Sequence, residues 1–205
     1  TSQVVTLLML SLWISQNDDN NDHVYNETRK MLIQNIQDID VLVSKSLFTD
    51  GKMLAIAKEL KDVNKFIFIG RQYNYPVALE GALKMKELCY NHAEGYAAAE
   101  LKHGPIALVD ENTVAIAVNN NVRQTDKMNS NIQEIKSRGG RIINIDCSKN
   151  IGSDVDYNIQ IPIVHSCLSP IMSVVPLQLF AYHSAVFRGK NVDRPRNLAK
   201  SVTVE

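Results

Sequence analysis

KFIFIGRQYNYPVALEGALKMKELCYNHAEGYAAAELKHGP, Lys65 to Pro105, decides the fold. Phe66 to Ile69 is an apolar, β-favouring run closed by Gly70, which is how a buried parallel strand ends. A short polar loop follows, Arg71 to Tyr75, and then Pro76, a residue suited to the first position of a helix. Val77, Ala78, Gly81, Ala82, Met85, Leu88 and Cys89 recur at helical spacing and predict one buried face. Glu80, Lys84 and Glu87, at i, i+4 and i+7, lie on the opposite face. Open α/β sheets bind ligands beyond the carboxyl ends of their strands, where this loop and helix begin. On pattern alone, Glu four residues before Lys is what any solvated amphipathic helix shows, and spacing does not separate a catalytic Glu87 from a surface one.

Working outward, strand and helix text alternate. Val114 to Val118 reads as a second strand, and Val122 to Arg138 as a helix with Met128, Ile132 and Ile135 inward, stopped by Gly139-Gly140. Arg141 to Asp146 reads as a third strand and Tyr157 to Ile161 as a short fourth. Cys167 to Phe187 predicts a long apolar helix with Pro170 in its first turn and a kink or break at Pro176. Ala97 to Lys102 reads as an Ala-rich helical piece closed by His103-Gly104-Pro105. The alternation predicts a three-layer αβα sandwich on a parallel sheet, flavodoxin-like, within residues 46–188.

Upstream, Val4 to Ile14 is apolar apart from Ser11. It lacks the basic flank of a signal peptide and is too short to span a bilayer, so it reads as a buried helix. Gln16 to Asp22 is a polar break, His23 to Ser44 a further helix, Asp50-Gly51 a turn, and Met53 to Leu60 a helix leading into the first strand. With no initiator Met, residues 1–45 read as the last helices of a truncated preceding domain, and residues 189–205 as a tail.

Formal net charge is +0, so composition makes no electrostatic case for nucleic acid or an anionic membrane surface. Cys89, Cys147 and Cys167 include no CxxC and read as reduced thiols of a cytoplasmic protein. The five histidines lack metal-ligand spacing, and no GxGxxG, P-loop or GxSxG is present, so no metal or cofactor is expected. Three polar places remain: the Glu80/Lys84/Glu87 face, His103 at its helix stop, and the basic tail with Arg194, Arg196 and Lys200. Taken singly, His103 reads as a capping or packing histidine and Lys200 as a solvated lysine.

Those three places also carry a resemblance. ALEGALKMKEL, HAEGYAAAELKHGP and the terminal DRPRNLAKSVTVE resemble glutamine–fructose-6-phosphate aminotransferases, the glucosamine-6-phosphate synthases, over most of the chain. ALEGALK alone would indicate only the wider group of sugar isomerase domains. The resemblance implies an enzyme of a glutaminase domain and two tandem sugar isomerase (SIS) domains. It would make glucosamine 6-phosphate from fructose 6-phosphate and glutamine, the first step towards UDP-N-acetylglucosamine. This chain would be the second isomerase domain with the last helices of the first. The glutaminase and the Ser/Thr-rich phosphate-binding loop would lie upstream of Thr1, so these residues alone are expected to be inactive.

By motif, the resemblance makes Glu87 the base that moves a proton between C1 and C2. Lys84 becomes an accessory residue held by Glu80, and His103 a ring-opening residue supplied by the neighbouring subunit of a homodimer. Lys200 would form an imine with the open-chain ketose, next to Ala199 at the substrate. Arg194 and Arg196 could ease deprotonation of Lys200, with the tail folded over the carboxyl ends of the strands. A sensor domain that binds sugar phosphate without catalysis, and a module that only dimerises, remain as alternatives.

Overall fold

The structure, a computed structural model, describes residues 2–17, 23–147 and 154–198. Four helices lead in: α1 (Ser2–Ile14), α2 (His23–Gln37), α3 (Ile39–Leu47) and α4 (Asp50–Glu59). Five strands follow: β1 (Lys65–Gly70), β2 (His92–Ala97), β3 (Thr113–Val118), β4 (Arg141–Asp146) and β5 (Tyr157–Gln160). Between and after them run α5 (Asn74–Lys84), α6 (Thr125–Lys136) and α7 (Ser169–Phe187). The sheet is parallel throughout, in the order β2-β1-β3-β4-β5.

Alternation along the strands separates two cores. Phe66, Phe68, Val114, Ile116, Ile143 and Ile145 face α4, α5 and α7. Ile67, Ile69, Ala115, Ala117 and Ile142 face α6 and the 3-10 segment Ala98–His103. Both faces are covered, which is why these strands read as continuous apolar runs. The three-layer α/β sandwich expected from the sequence is therefore the architecture.

Several local readings change. β2 was not expected, because HAEGYA lacks the β-branched residues that mark a strand. It forms because it fits tightly against α5: a Cβ on Gly95 would lie 2.9 Å from the backbone of Leu79. Ala97 therefore ends a strand, and Ala98–His103 is a 3-10 helix rather than an α-helix. α5 starts at Asn74, two residues before Pro76, after a turn so close that a Cβ on Gly70 would meet the Asn74 carbonyl oxygen at 2.2 Å.

Asp50 and Gly51 open α4 instead of forming a turn, and the Asp50 carboxylate sits 2.6 Å from His183 Nε2 on α7. α7 runs unbroken through Pro176, since burial of Leu177, Phe180 and Ala181 outweighs the one missing N–H bond. α7 is long and apolar enough to cross a membrane by length and composition, but over half of it is buried as the core helix of this domain. α1 is helical but not buried: Val5 and Leu8 touch the core, while Leu7, Met9, Trp13 and Ile14 are exposed. It is apolar on every side, and the described residues cover only one.

Candidate functional site

The crossover from β1 to β2 sets the geometry. α5 starts at the carboxyl edge of the sheet and runs back, so its end lies at the amino edge, where β2 begins opposite Lys65. There the helix widens into a π-helical turn, Met85–Cys89, closed by Tyr90 in the left-handed region (φ 59°). Such π-turns are frequent at functional sites, because the extra residue re-aims the side chains around it. Met85 and Cys89 point into the core, and Glu87 points out with its side chain three-quarters buried.

The face expected from the sequence is assembled as a charged cluster. Lys84 Nζ donates to Glu87 Oε2 at 2.6 Å and lies 3.6 Å from Glu80 Oε1. The hydrogen bond to Glu87 raises the Lys84 pKa above its ordinary value; partial burial opposes this, and the Glu80 charge assists. An ammonium held in this way is a fixed positive charge against the Glu87 carboxylate, not a nucleophile.

The basic tail reaches the same place, but by a route the sequence did not disclose. After α7, Arg188 donates to Asn64 Oδ1 at 3.0 Å and to the Val63 carbonyl, which holds the chain at the amino edge. The Asn191 side chain caps a turn, accepting from Asp193 N and Arg194 N at 3.0 and 3.1 Å. The Arg196 amide then donates to Tyr90 Oη at 2.9 Å, and its guanidinium stacks 4.2 Å from the Tyr90 ring centroid. Lys190 approaches the same ring at 5.6 Å. Glu87, Lys86, Tyr90, Arg196 and Leu198 line an open cavity of about 200 Å³.

The tail was expected over the carboxyl ends of the strands. It lies at the opposite edge, because Tyr90 immediately precedes β2. Ala199 and Lys200 lie outside the described residues. Arg194 is held by its backbone in the turn, and only Arg196 of the two arginines packs on Tyr90. Tyr90 is the site residue that sequence reasoning missed; 106 positions separate it from Arg196, and no local pattern links them.

His103 is not brought to this cluster within the chain. It is exposed beyond the carboxyl end of β2, 3.9 Å from Glu100, and roughly 20 Å of strand at ~3.3 Å per residue separates it from the Glu87 edge. Burial pushes the Cys89 thiol up to about 11, and also raises Cys147 and Cys167, the direction that disfavours the thiolate. Among the described residues no three His, Cys, Asp or Glu side chains come together as metal ligands.

Comparisons with known proteins bear on the family and the fold. The family described as "SIS domain" matches residues 59–188, from the last residue of α4 to just past α7. The chain is 45% identical over its whole length to the glutamine–fructose-6-phosphate aminotransferase [isomerizing] of Buchnera aphidicola, and spans 33% of that relative. It is 42% identical to the protein of the same name from Escherichia coli, again spanning 33% of it. The chain therefore covers about a third of the curated relatives it matches. Among solved structures, the C-terminal domain of glucosamine-fructose-6-phosphate aminotransferase from Francisella tularensis is similar. It has TM-score 0.78 and 37% identity, over 82% of this chain and 48% of that one.

Proposed function

The chain belongs to the SIS domain family, and from that premise we propose that it is the ketose-isomerising part of a cytoplasmic glutamine–fructose-6-phosphate aminotransferase, acting on fructose 6-phosphate with a glutaminase domain elsewhere in the protein. In this reading residues 1–45 are the end of a preceding isomerase domain, whose surface would cover the exposed residues of α1. The reading rests on one observation above the others. Arg196 and Leu198 of the tail line the cavity that holds Glu87, whose carboxylate is paired with Lys84.

Each residue then has a chemical part. Lys200 attacks the open-chain ketose at C2 and loses water to form an imine; ammonia released from glutamine then displaces the Lys200 amine at C2, freeing the lysine and leaving a C=N bond that acidifies the C1 proton. The Glu87 carboxylate takes that proton and returns it to C2, so it must reach both carbons from one position. Its place on a π-turn rather than a loop fixes that position. Lys84 sets a positive charge beside the Glu87 carboxylate, and Glu80 orients Lys84. Ala199 lies beside the sugar. His103, distant from Glu87 in its own chain, serves the site of a second subunit in a homodimer and assists ring opening.

Glu87→Gln in the full-length protein tests this reading. The swap keeps the shape and removes the base, so glucosamine 6-phosphate formation should fall by about 10²–10⁴ while glutamate release from glutamine persists. Near-normal product formation would return Glu87 to the solvated face, and loss of both activities would indicate misfolding.

A further inference from the structure

Lys200 is carried on a tail rather than on a helix or strand, so its approach to Glu87 depends on how that tail is aimed. The aim begins at the end of α7. Gly189 takes the left-handed region (φ 64°), its N–H donates to Val186 O at 3.0 Å, and the Lys190 N–H reaches back to Ala185 O at 2.9 Å. This is a Schellman turn, made by backbone groups alone, and it fixes the direction in which the chain leaves the helix.

Arg188, the residue before the glycine, is therefore not needed to cap α7. Its guanidinium reaches instead to the segment entering β1: Nη1 donates to Asn64 Oδ1 at 3.0 Å and Nη2 to the Val63 carbonyl. Asn91, the residue entering β2, donates from Nδ2 to the same two atoms, at 3.2 Å to Asn64 Oδ1 and 3.3 Å to Val63 O. Two acceptors beside β1 thus hold both the exit of the tail and the end of the π-turn. Asn91 Oδ1 and Arg188 Nε are buried with no hydrogen-bond partner among the described residues, so the shared acceptors carry the grip.

The far end of the segment is pinned one residue away. The Arg196 amide and guanidinium both meet Tyr90, the neighbour of Asn91. Residues 188–196 therefore form a short loop held at both ends against adjacent positions, with Val192 packed on the core between them. Releasing one end restores conformational freedom to the whole loop. Lys200 is four residues past Arg196, so at no more than ~3.6 Å per residue it stays within about 14 Å of that anchor.

We propose that Arg188 is a positioning residue: by gripping the two acceptors that also hold Asn91, it sets the tail against the π-turn, and with it Lys200 against Glu87. The link to chemistry rests on the role given to Lys200 under the proposed function; the grip on the tail does not.

The test is Arg188→Lys in the full-length protein, read by hydrogen exchange and by borohydride trapping with fructose 6-phosphate. Lysine keeps the charge but lacks the fork that spans both acceptors. The amides of Asp193, Arg194 and Arg196 should exchange about tenfold faster, while those of α7 and β1 keep their rates. Trapping at Lys200 should slow by about tenfold. Asn64→Ala, which removes one acceptor without touching the tail or α7, should move both readouts the same way by less. Unchanged tail exchange, α7 exchange that rises with the tail's, or trapping at Lys200 that is indifferent to Arg188 would overturn the proposal. If wild type forms no Lys200 adduct, the imine reading has failed, and the exchange rates alone decide whether Arg188 positions the tail.

Discussion

At the amino edge of the sheet, two carboxylates hold one lysine between them, and a tail arginine lies flat on a tyrosine. At the carboxyl edge, Arg123 faces a ring of amides with no carboxylate paired to it among the described residues. One helix, α5, joins the two: it opens at the carboxyl edge and ends in the π-turn that carries Glu87. The difference teaches that strand order alone does not fix where this fold gathers its charged side chains. The end of the crossover helix supplies a second, independently furnished edge.

The largest expected effect breaks the amino edge directly: Glu87→Gln, with its loss of about 10²–10⁴ in product formation. Next is Gly95→Ala, which disturbs the fit that seats β2 on α5 and so the spacing of the two edges. Its Cβ would press on the Leu79 backbone at 2.9 Å, and overpacking of this kind costs about 1–3 kcal/mol, read as a lower midpoint in urea unfolding. An unchanged midpoint would mean that β2 is not held as described.

Tyr90→Phe sharpens the comparison further. It removes the acceptor for the Arg196 amide and keeps the ring under the guanidinium, so tail docking should weaken by about 1 kcal/mol. Product formation should fall about fivefold, with glutamate release unaffected. Tyr90→Leu, which also removes the stacking, should cost more. Equal activity in all three proteins would detach the tail from the site.

The smallest effect is in pH dependence. Lys84 has its pKa raised in the folded state, so its contribution to stability is fully present below the unfolded value of 10.5 and is lost as pH rises through the higher folded value. Lys84→Met lacks that contribution. The stability gap between wild type and Lys84→Met should therefore be constant from pH 8 to about 10 and shrink above 10.5. A gap that widens at high pH would contradict the ion-pair geometry.

Much of this architecture is legible in the sequence, for physical reasons that differ by element. β1, β3 and β4 are buried on both faces and announce themselves as apolar runs. β2 does not, because its place is decided by close backbone packing at Gly95 rather than by β-branched side chains. α1 reads as a helix from composition, but its exposure depends on what surrounds it. The Glu80/Lys84/Glu87 cluster follows from helical spacing. The π-turn that orients Glu87 leaves no such pattern, and neither does the contact of Tyr90 with Arg196. The surroundings of Arg123 are equally silent, since Gln72, Asn121 and Ser166 come from three separate loops.

The central claim is that chemistry belongs to the amino edge, where the tail meets Glu87. The most direct measurement is borohydride trapping of the full-length protein with fructose 6-phosphate, followed by peptide mapping of the adduct. The account predicts a reduced imine on Lys200, absent in Lys200→Arg and diminished in Tyr90→Leu. An adduct on a lysine elsewhere, or trapping at Lys200 that is indifferent to Tyr90, would contradict it.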